Sequence, residues 1–379
     1  MLSVFGEAEY QARVQHTLKG MEKAEIDAMV AFANKVMPGH VRYLSGYETR
    51  HGIHDFSFFV LAPGREPALL TNARWEDQRK MTWVRDIEIV GLDQAGDAIA
   101  NRLPKSARSI GVAGYNHLPT PVYRRLSGRF SSAGILDASS IVLEVRTIKS
   151  PAEIAVLRRC AEITDTGGMA FLAAAREGMS ERQVLVEVES ALKLNGSDEV
   201  SFTTQVGRGP RTASICPYAT DELVTNPDLM QLDCGATYFG YCGDLSRVAV
   251  IGQPSARQRL LLDVTAEMYD RVVEAVRPGA DAAEIATLGV RVAERHGLKD
   301  LLYVSPAHQV AFMAHGIGCS YYEPPEIDVQ HHTEILENMI VVVEPILAEE
   351  GTGGVKIEDA MLVTASGVER FSKCKIRTW

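Results

Sequence analysis

The apolar positions change period along the chain. Between residues 7 and 22, Tyr10, Val14, Leu18 and Met21 recur at helical spacing and predict an amphipathic helix. Short apolar runs at 27–32, 56–62, 67–71, 87–90 and 109–113 read as strands, and 118–128 reads as a helix. This alternation describes a small α/β domain. The pattern shifts around 140–150. Ser150 is a good N-cap, Pro151 suits the first helical position and Glu153 completes a capping box. A long helix is predicted from there to about 175, with Ile154, Leu157, Ala161 and Thr164 on one face, followed by a helix at 180–194. The boundary falls just before the long helix, giving domains at 1–145 and 146–379. Beyond it, strands are predicted at 201–206, 229–235, 244–251, 339–346 and 355–364, and helices at 254–277 and 281–296. Helices grouped between antiparallel strands imply an α+β domain, with helices on one face of a curved sheet.

Composition narrows the function classes. A chain of 379 residues is ample for two domains, and 46% hydrophobic with 23% charged residues is ordinary for a globular protein. The net charge of −10, with both signs dispersed, argues against a nucleic-acid partner. No apolar run reaches the ~18 residues needed to span a membrane. The segment Met1 to Tyr10 carries Glu7 and Glu9 and lacks the apolar core of a secretory leader. Cys160, Cys216, Cys234, Cys242, Cys319 and Cys374 have neither zinc-finger nor CxxC spacing. A reduced cytoplasmic setting and a small-molecule substrate, with no membrane partner, are expected.

Four segments carry candidate chemistry. In LDCGATYFGYCGDLSR (232–247), Asp233 ends an apolar strand and Asp244 opens the next. A carboxylate in an apolar run needs a partner, and two meeting across a hairpin repel unless a cation lies between them. In AHGIGCSYYEPP (314–325), His315 precedes a pair of glycines that permit close backbone approach. In MIVVVEPILAEE (339–350), Glu344 sits in what should be a buried strand, and in GGVKIEDAMLV (353–363) Glu358 shares a strand face with Lys356. Singly, each has an ordinary reading as a cap, a packed loop histidine or a solvated charge. Together, four carboxylates and one imidazole suit Mn²⁺, Co²⁺, Zn²⁺ or Fe²⁺, and four negative charges balance two divalent ions.

In order and local context, Asp233, Asp244, His315, Glu344 and Glu358 resemble the metal ligands of the superfamily of methionine aminopeptidase, aminopeptidase P, prolidase and creatinase. VRYLSGY (41–47) and VRTIKSPAEI (145–154) are similar to that superfamily's N-terminal domain and linker helix. The resemblance implies a pita-bread catalytic domain, a smaller creatinase-like N-terminal domain, two divalent metal ions and a homodimer. It implies a metal-dependent hydrolase cleaving a C–N bond in a small amide, amidine or Xaa-Pro dipeptide. Alternatives are a metal-dependent lyase resembling the dimethylsulfoniopropionate lyase branch, or a non-catalytic binding protein.

Three positions depart from the peptidase pattern. Two histidines usual in those enzymes are replaced by Cys216 and Tyr322, and an arginine by Lys356. Tyr322 can still donate a hydrogen bond to an oxyanion, Glu344 can assist proton transfer, and Cys216 is either a weak donor or a small packing residue. The GPRT loop (209–212) is similar to the lyase branch, but Gly235 stands where that branch has an additional aspartate. Arg208 and Arg211 are candidates to grip a substrate carboxylate or are surface residues, and Tyr321 is a candidate substrate contact. In a dimer of this superfamily the N-terminal domain of one subunit overhangs the other's site, so His51 or His54 could supply the missing histidine. His331 and His332 are expected in solvent, and His308 in a structural role.

Overall fold

The computed structural model describes residues 4–379 except 50, 51, 53, 74–79, 306–308 and 378. The chain divides into two compact units, Met1–Arg146 and Thr147–Trp379.

The first unit is built on a six-stranded mixed sheet. Its strand order is Asp86–Ile89, Ala68–Thr71, Phe56–Leu61, Ala28–Asn34, Ser109–Ala113 and Gly134–Asp137. The two central strands are buried along nearly their whole length, which is why they read as unbroken apolar runs rather than alternating ones. The predicted helices appear at Glu7–Lys23 and Thr120–Arg129. Helices Gly39–Ser45, Leu92–Arg102 and Ser139–Thr147 were not anticipated.

The second unit carries an eight-stranded sheet whose strands are all antiparallel. The order is Glu323–Asp328, Phe312–Gly316, Ile340–Val343, Glu358–Thr364, Leu245–Ile251, Asp228–Cys234 and Gln205–Arg208, with Gly367–Arg370 paired to Glu358–Thr364. The helix Pro151–Ala174 starts with the predicted capping box. Ser150 Oγ accepts from the Glu153 amide at 3.2 Å, and Glu153 Oε2 accepts from the Ser150 amide at 3.0 Å. Together with Glu181–Leu194 it buries Ile163, Phe171, Val184 and Val188 against Met230, Leu232 and Leu245. Helices Ala256–Ala275 and Ala282–Arg295 bury Leu261, Met268, Val272 and Ile285 in a second cluster with Val341 and Met361. No helix among the described residues is long and apolar enough to cross a membrane.

Three predicted strands need correction. The strand expected at 201–206 runs over Gln205–Arg208. The one expected at 339–346 breaks at Glu344 and Pro345, because proline cannot donate to a sheet ladder. The one expected at 355–364 divides at Ile357, with Gly353–Lys356 pairing to Ile346–Glu349 in a separate ribbon. Phe312–Gly316 and Glu323–Asp328 were missed because their glycines and prolines read as turn.

Candidate metal centre

Register assembles the centre. Asp233 stands opposite Gln205 on one side and Ser246 on the other, and Ser246 stands opposite Glu358. Asp233 and Glu358 thus flank one central position of the sheet. Asp244 lies just before the strand that contains Ser246, after a tight connection. A Cβ on Gly235 would lie 2.0 Å from the carbonyl oxygen of Gly243, and one on Gly243 would lie 2.2 Å from Thr164 Oγ1. The turn therefore presses on the helix Pro151–Ala174, where Thr164 Oγ1 accepts from the Ala236 amide at 3.1 Å. Only glycine permits so close an approach.

His315 sits in the strand Phe312–Gly316, opposite Val342 and Glu326. Its Nδ1 donates to the Gly316 carbonyl at 2.9 Å, which leaves Nε2 as the lone-pair nitrogen. Nε2 lies 3.7 Å from Asp244 Oδ2 and 3.9 Å from Glu358 Oε1. Burial keeps the imidazole pKa below its ordinary value, which favours the neutral ring. Glu344 does not lie within a buried strand as expected. It follows Ile340–Val343 at the strand break, less buried than the other four, with its amide donating to Met313 O at 2.8 Å.

Lys356 reaches into the same cluster. Its Nζ donates to Asp233 Oδ2 and lies 3.5 Å from Glu344 Oε1 and 3.8 Å from Glu358 Oε2. Even so, Asp233 Oδ1 and both carboxylate oxygens of Glu358 are buried and receive no hydrogen bond. Burial, reinforced by neighbouring carboxylates, pushes Asp244 and Glu358 well above the usual carboxylate range. Burial also raises Asp233, with Lys356 opposing. A buried carboxylate that receives no donor is costly, and a cation relieves that cost.

A cavity of about 380 Å³ opens over the cluster. Asp233, Asp244, His315, Glu344 and Lys356 face it, within walls that include Phe202, Ile215, Tyr303 and Phe312. Tyr322 lines it too and stacks on His315 with ring centroids 4.8 Å apart. Burial raises the Tyr322 phenol above its ordinary value, so it remains a donor at neutral pH. Tyr321 packs on Phe202 at 5.5 Å and borders the same cavity.

Support beneath the site had escaped notice in the sequence. Arg247, fully buried, donates to the Glu358 carbonyl at 2.8 Å and to Asp359 Oδ1 at 2.6 Å. Tyr269 donates to Asp359 Oδ2 at 2.6 Å. A second buried ion pair, Lys149 with Glu323 at 2.9 Å, ties the start of the unit to the strand that follows Tyr322. An arginine inside the run LSRVAV was the available signal for the first network.

Several expected site residues lie elsewhere. Arg208 does not border the cavity. It donates to Asp228 Oδ2 at 2.6 Å and to Thr225 Oγ1 at 2.9 Å. Arg211 is likewise engaged, donating to Glu181, to Thr220 Oγ1 at 3.1 Å and to Tyr218 O at 2.6 Å. The buried carboxylates of Asp228 and Glu181 claim both guanidinium groups. Cys216 is exposed at the cavity wall, which corrects its reading as a packing residue. His331 is half-buried with Nδ1 2.7 Å from Asp328 Oδ2, not free in solvent, whereas His332 is exposed. His54 is exposed on a turn of the first unit, its carbonyl accepting from Asn72 at 2.9 Å. His51 and His308 lie outside the described residues.

Converging buried carboxylates and one neutral imidazole under a cavity, on an antiparallel sheet, are the machinery of a metal-dependent hydrolase. Residues 155–365 match metallopeptidase family M24, and residues 13–148 match the creatinase/prolidase N-terminal domain. The chain belongs to metallopeptidase family M24, whose members use divalent metal ions. It is 27% identical over 362 residues to an Xaa-Pro dipeptidase of Pyrococcus furiosus, covering 95% of this chain and 97% of that protein. An uncharacterized peptidase of Bacillus subtilis is 29% identical over 346 residues, covering 90% and 92%. Among solved structures, the prolidase of Pyrococcus horikoshii OT3 superimposes with a TM-score of 0.85 at 25% identity, over 97% of this chain and all of that one. An Xaa-Pro dipeptidase from Bacillus anthracis gives 0.84 at 25% identity, over 97% and 99%.

Proposed function

We propose that this metallohydrolase cleaves a C–N bond in a small amide, amidine or Xaa-Pro-like substrate, and that it works in the cytoplasm as a homodimer. Asp233, Asp244, His315, Glu344 and Glu358 would hold divalent cations of the Mn²⁺, Co²⁺, Zn²⁺ or Fe²⁺ type in a centre with two cation positions. One observation carries this reading. Ligand atoms of Asp244, His315 and Glu358 lie within 4.8 Å of one another, buried, beneath an open cavity. When bound, such cations polarise a carbonyl and make water a nucleophile at neutral pH.

The chain's own side chains would do the rest. The Tyr322 phenol, held flat against His315, donates a hydrogen bond to the oxygen that gains charge as the amide is attacked. Glu344, the least buried of the five, takes a proton at the cavity floor and hands it to the departing nitrogen. Phe202, Tyr321 and Phe312 give the substrate an apolar wall that excludes water. His54 or His51 of a partner protomer would complete the proton path that Cys216 cannot supply.

A lyase is the second reading. The additional aspartate of the lyase branch would fall at Gly235, where a Cβ meets the Gly243 carbonyl oxygen at 2.0 Å. This backbone therefore disfavours that branch. Turnover in ¹⁸O-water of Xaa-Pro dipeptides and small N-substituted amides tests the choice. One ¹⁸O in the acyl product together with released amine supports hydrolysis. Amine release with an unlabelled, unsaturated product overturns it.

A further inference from the structure

We infer that Lys356 is an internal counter-cation that occupies one of the two cation positions, so that the centre holds one divalent ion tightly and a second only weakly. This rests on the reading of the five residues as metal ligands, and it concerns how many ions they hold.

The carboxylates fall into two groups. Asp244 and His315 face Glu358 through its Oε1, with Nε2 of His315 3.7 Å from Asp244 and 3.9 Å from Glu358. Asp233, Glu344 and Glu358, the last through its Oε2, instead surround the Lys356 ammonium. Nζ donates to Asp233 Oδ2 and stands 3.5 Å from Glu344 and 3.8 Å from Glu358. Glu358 thus bridges a pole that holds an imidazole and a pole that already holds a positive charge. Lys356 is committed to that place. It ends the strand Gly353–Lys356, its side chain is 3% exposed, and its register partner is Ile346.

Charge makes the same division. Four carboxylates against one ammonium leave three negative charges, so one divalent ion brings the buried cluster close to neutral. A second would leave it net positive until an anion such as hydroxide entered from the cavity, so the ammonium and the second ion compete for the same carboxylates. Side-chain chemistry matters as well. An arginine spreads its charge over a planar fork that lies along carboxylates, whereas the lysine ammonium is a compact point charge that can stand where a metal ion would. The His315–Asp244 pole would then be the tight position, and the Asp233–Glu344 pole would fill only when the ammonium withdraws.

The test is Mn²⁺ binding to the stripped full-length chain, by calorimetry and by elemental analysis after gel filtration, for wild type, Lys356→Met and Lys356→Gln. Circular dichroism melts establish that each variant is folded. Wild type should retain one Mn²⁺ per chain, with any second ion at least about tenfold weaker. The variants should retain two, the second tightened by at least about tenfold. Electron paramagnetic resonance of the wild-type protein with one equivalent of Mn²⁺ provides a reading that needs no variant. An isolated-ion signal agrees with the inference, and an exchange-coupled pair contradicts it. Two equally tight ions in wild type would overturn the role of Lys356 while leaving the metal centre standing, as would a single ion in all three proteins. No retained Mn²⁺ in any of them would overturn the metal reading itself.

Discussion

Replacing Asp359 by alanine should cost more stability than any change at the cavity surface. Asp359 is fully buried, and its two oxygens accept from Arg247 and from Tyr269, each at 2.6 Å. Truncation leaves the Arg247 guanidinium, itself without solvent contact, lacking its counter-charge. Breaking one side of a buried pair costs about 3–5 kcal/mol, and the lost Tyr269 hydrogen bond adds about 1 kcal/mol. For a unit of this size each kcal/mol moves the melting temperature by roughly 2–4 °C, so a fall of roughly 8–24 °C is expected. Circular dichroism melting in the presence of chelator is the right assay, because bound metal would add its own stabilisation. The double variant Arg247→Met with Asp359→Leu should recover much of the loss, since an apolar pair replaces both charges. The same guanidinium holds the Glu358 carbonyl at 2.8 Å, so metal affinity should fall with stability in the single variant. A fall of less than about 3 °C would refute the claim that this pair anchors the site.

Three further outcomes follow from particular residues. Tyr322→Phe should lower kcat by about 100-fold while leaving metal content and KM nearly unchanged, as loss of an oxyanion donor does; steady-state kinetics with metal analysis checks it. His54→Ala should cut turnover by about 100-fold with metal intact if His54 reaches a partner's site, and unchanged turnover would remove that role. Asp27 accepts from the amides of Arg108 at 2.7 Å and Ser109 at 3.0 Å, and these bonds hold its carboxyl below the usual value. Its stabilisation is therefore complete above the unfolded-state value of about 4 and is lost as pH falls through its lower folded value. Urea midpoints of wild type and Asp27→Ala should differ at pH 6 and converge toward pH 2.

Much of the centre was readable because a carboxylate inside an apolar run is conspicuous. Asp233 announces itself in this way, and the order of the five residues along the chain matches a known superfamily. The long helix after Ser150 was equally plain, because its cap, proline and glutamate agree. What was hidden depended on distant partners. Arg208 and Arg211 read as an anion grip since nothing local reveals that Glu181 and Asp228 will claim them. The Arg247–Asp359 pair joins residues 112 positions apart. Glu344 misled because four apolar residues before it imply a continuing strand, whereas Pro345 ends the ladder. Cys216 gave no sign of its exposure, since a cysteine flanked by Ile215 and Pro217 reads equally well as packing.

The most direct test of the central claim is reconstitution of a single preparation. The enzyme would be stripped with chelator, assayed for amine release from Xaa-Pro dipeptides and small amides, and reloaded with Mn²⁺, alongside Asp244→Asn treated identically. The account predicts that stripping abolishes turnover, that Mn²⁺ restores it, and that Asp244→Asn neither retains the ion nor recovers, a loss of at least about 1000-fold. Undiminished turnover after stripping, or full recovery by Asp244→Asn, would contradict it.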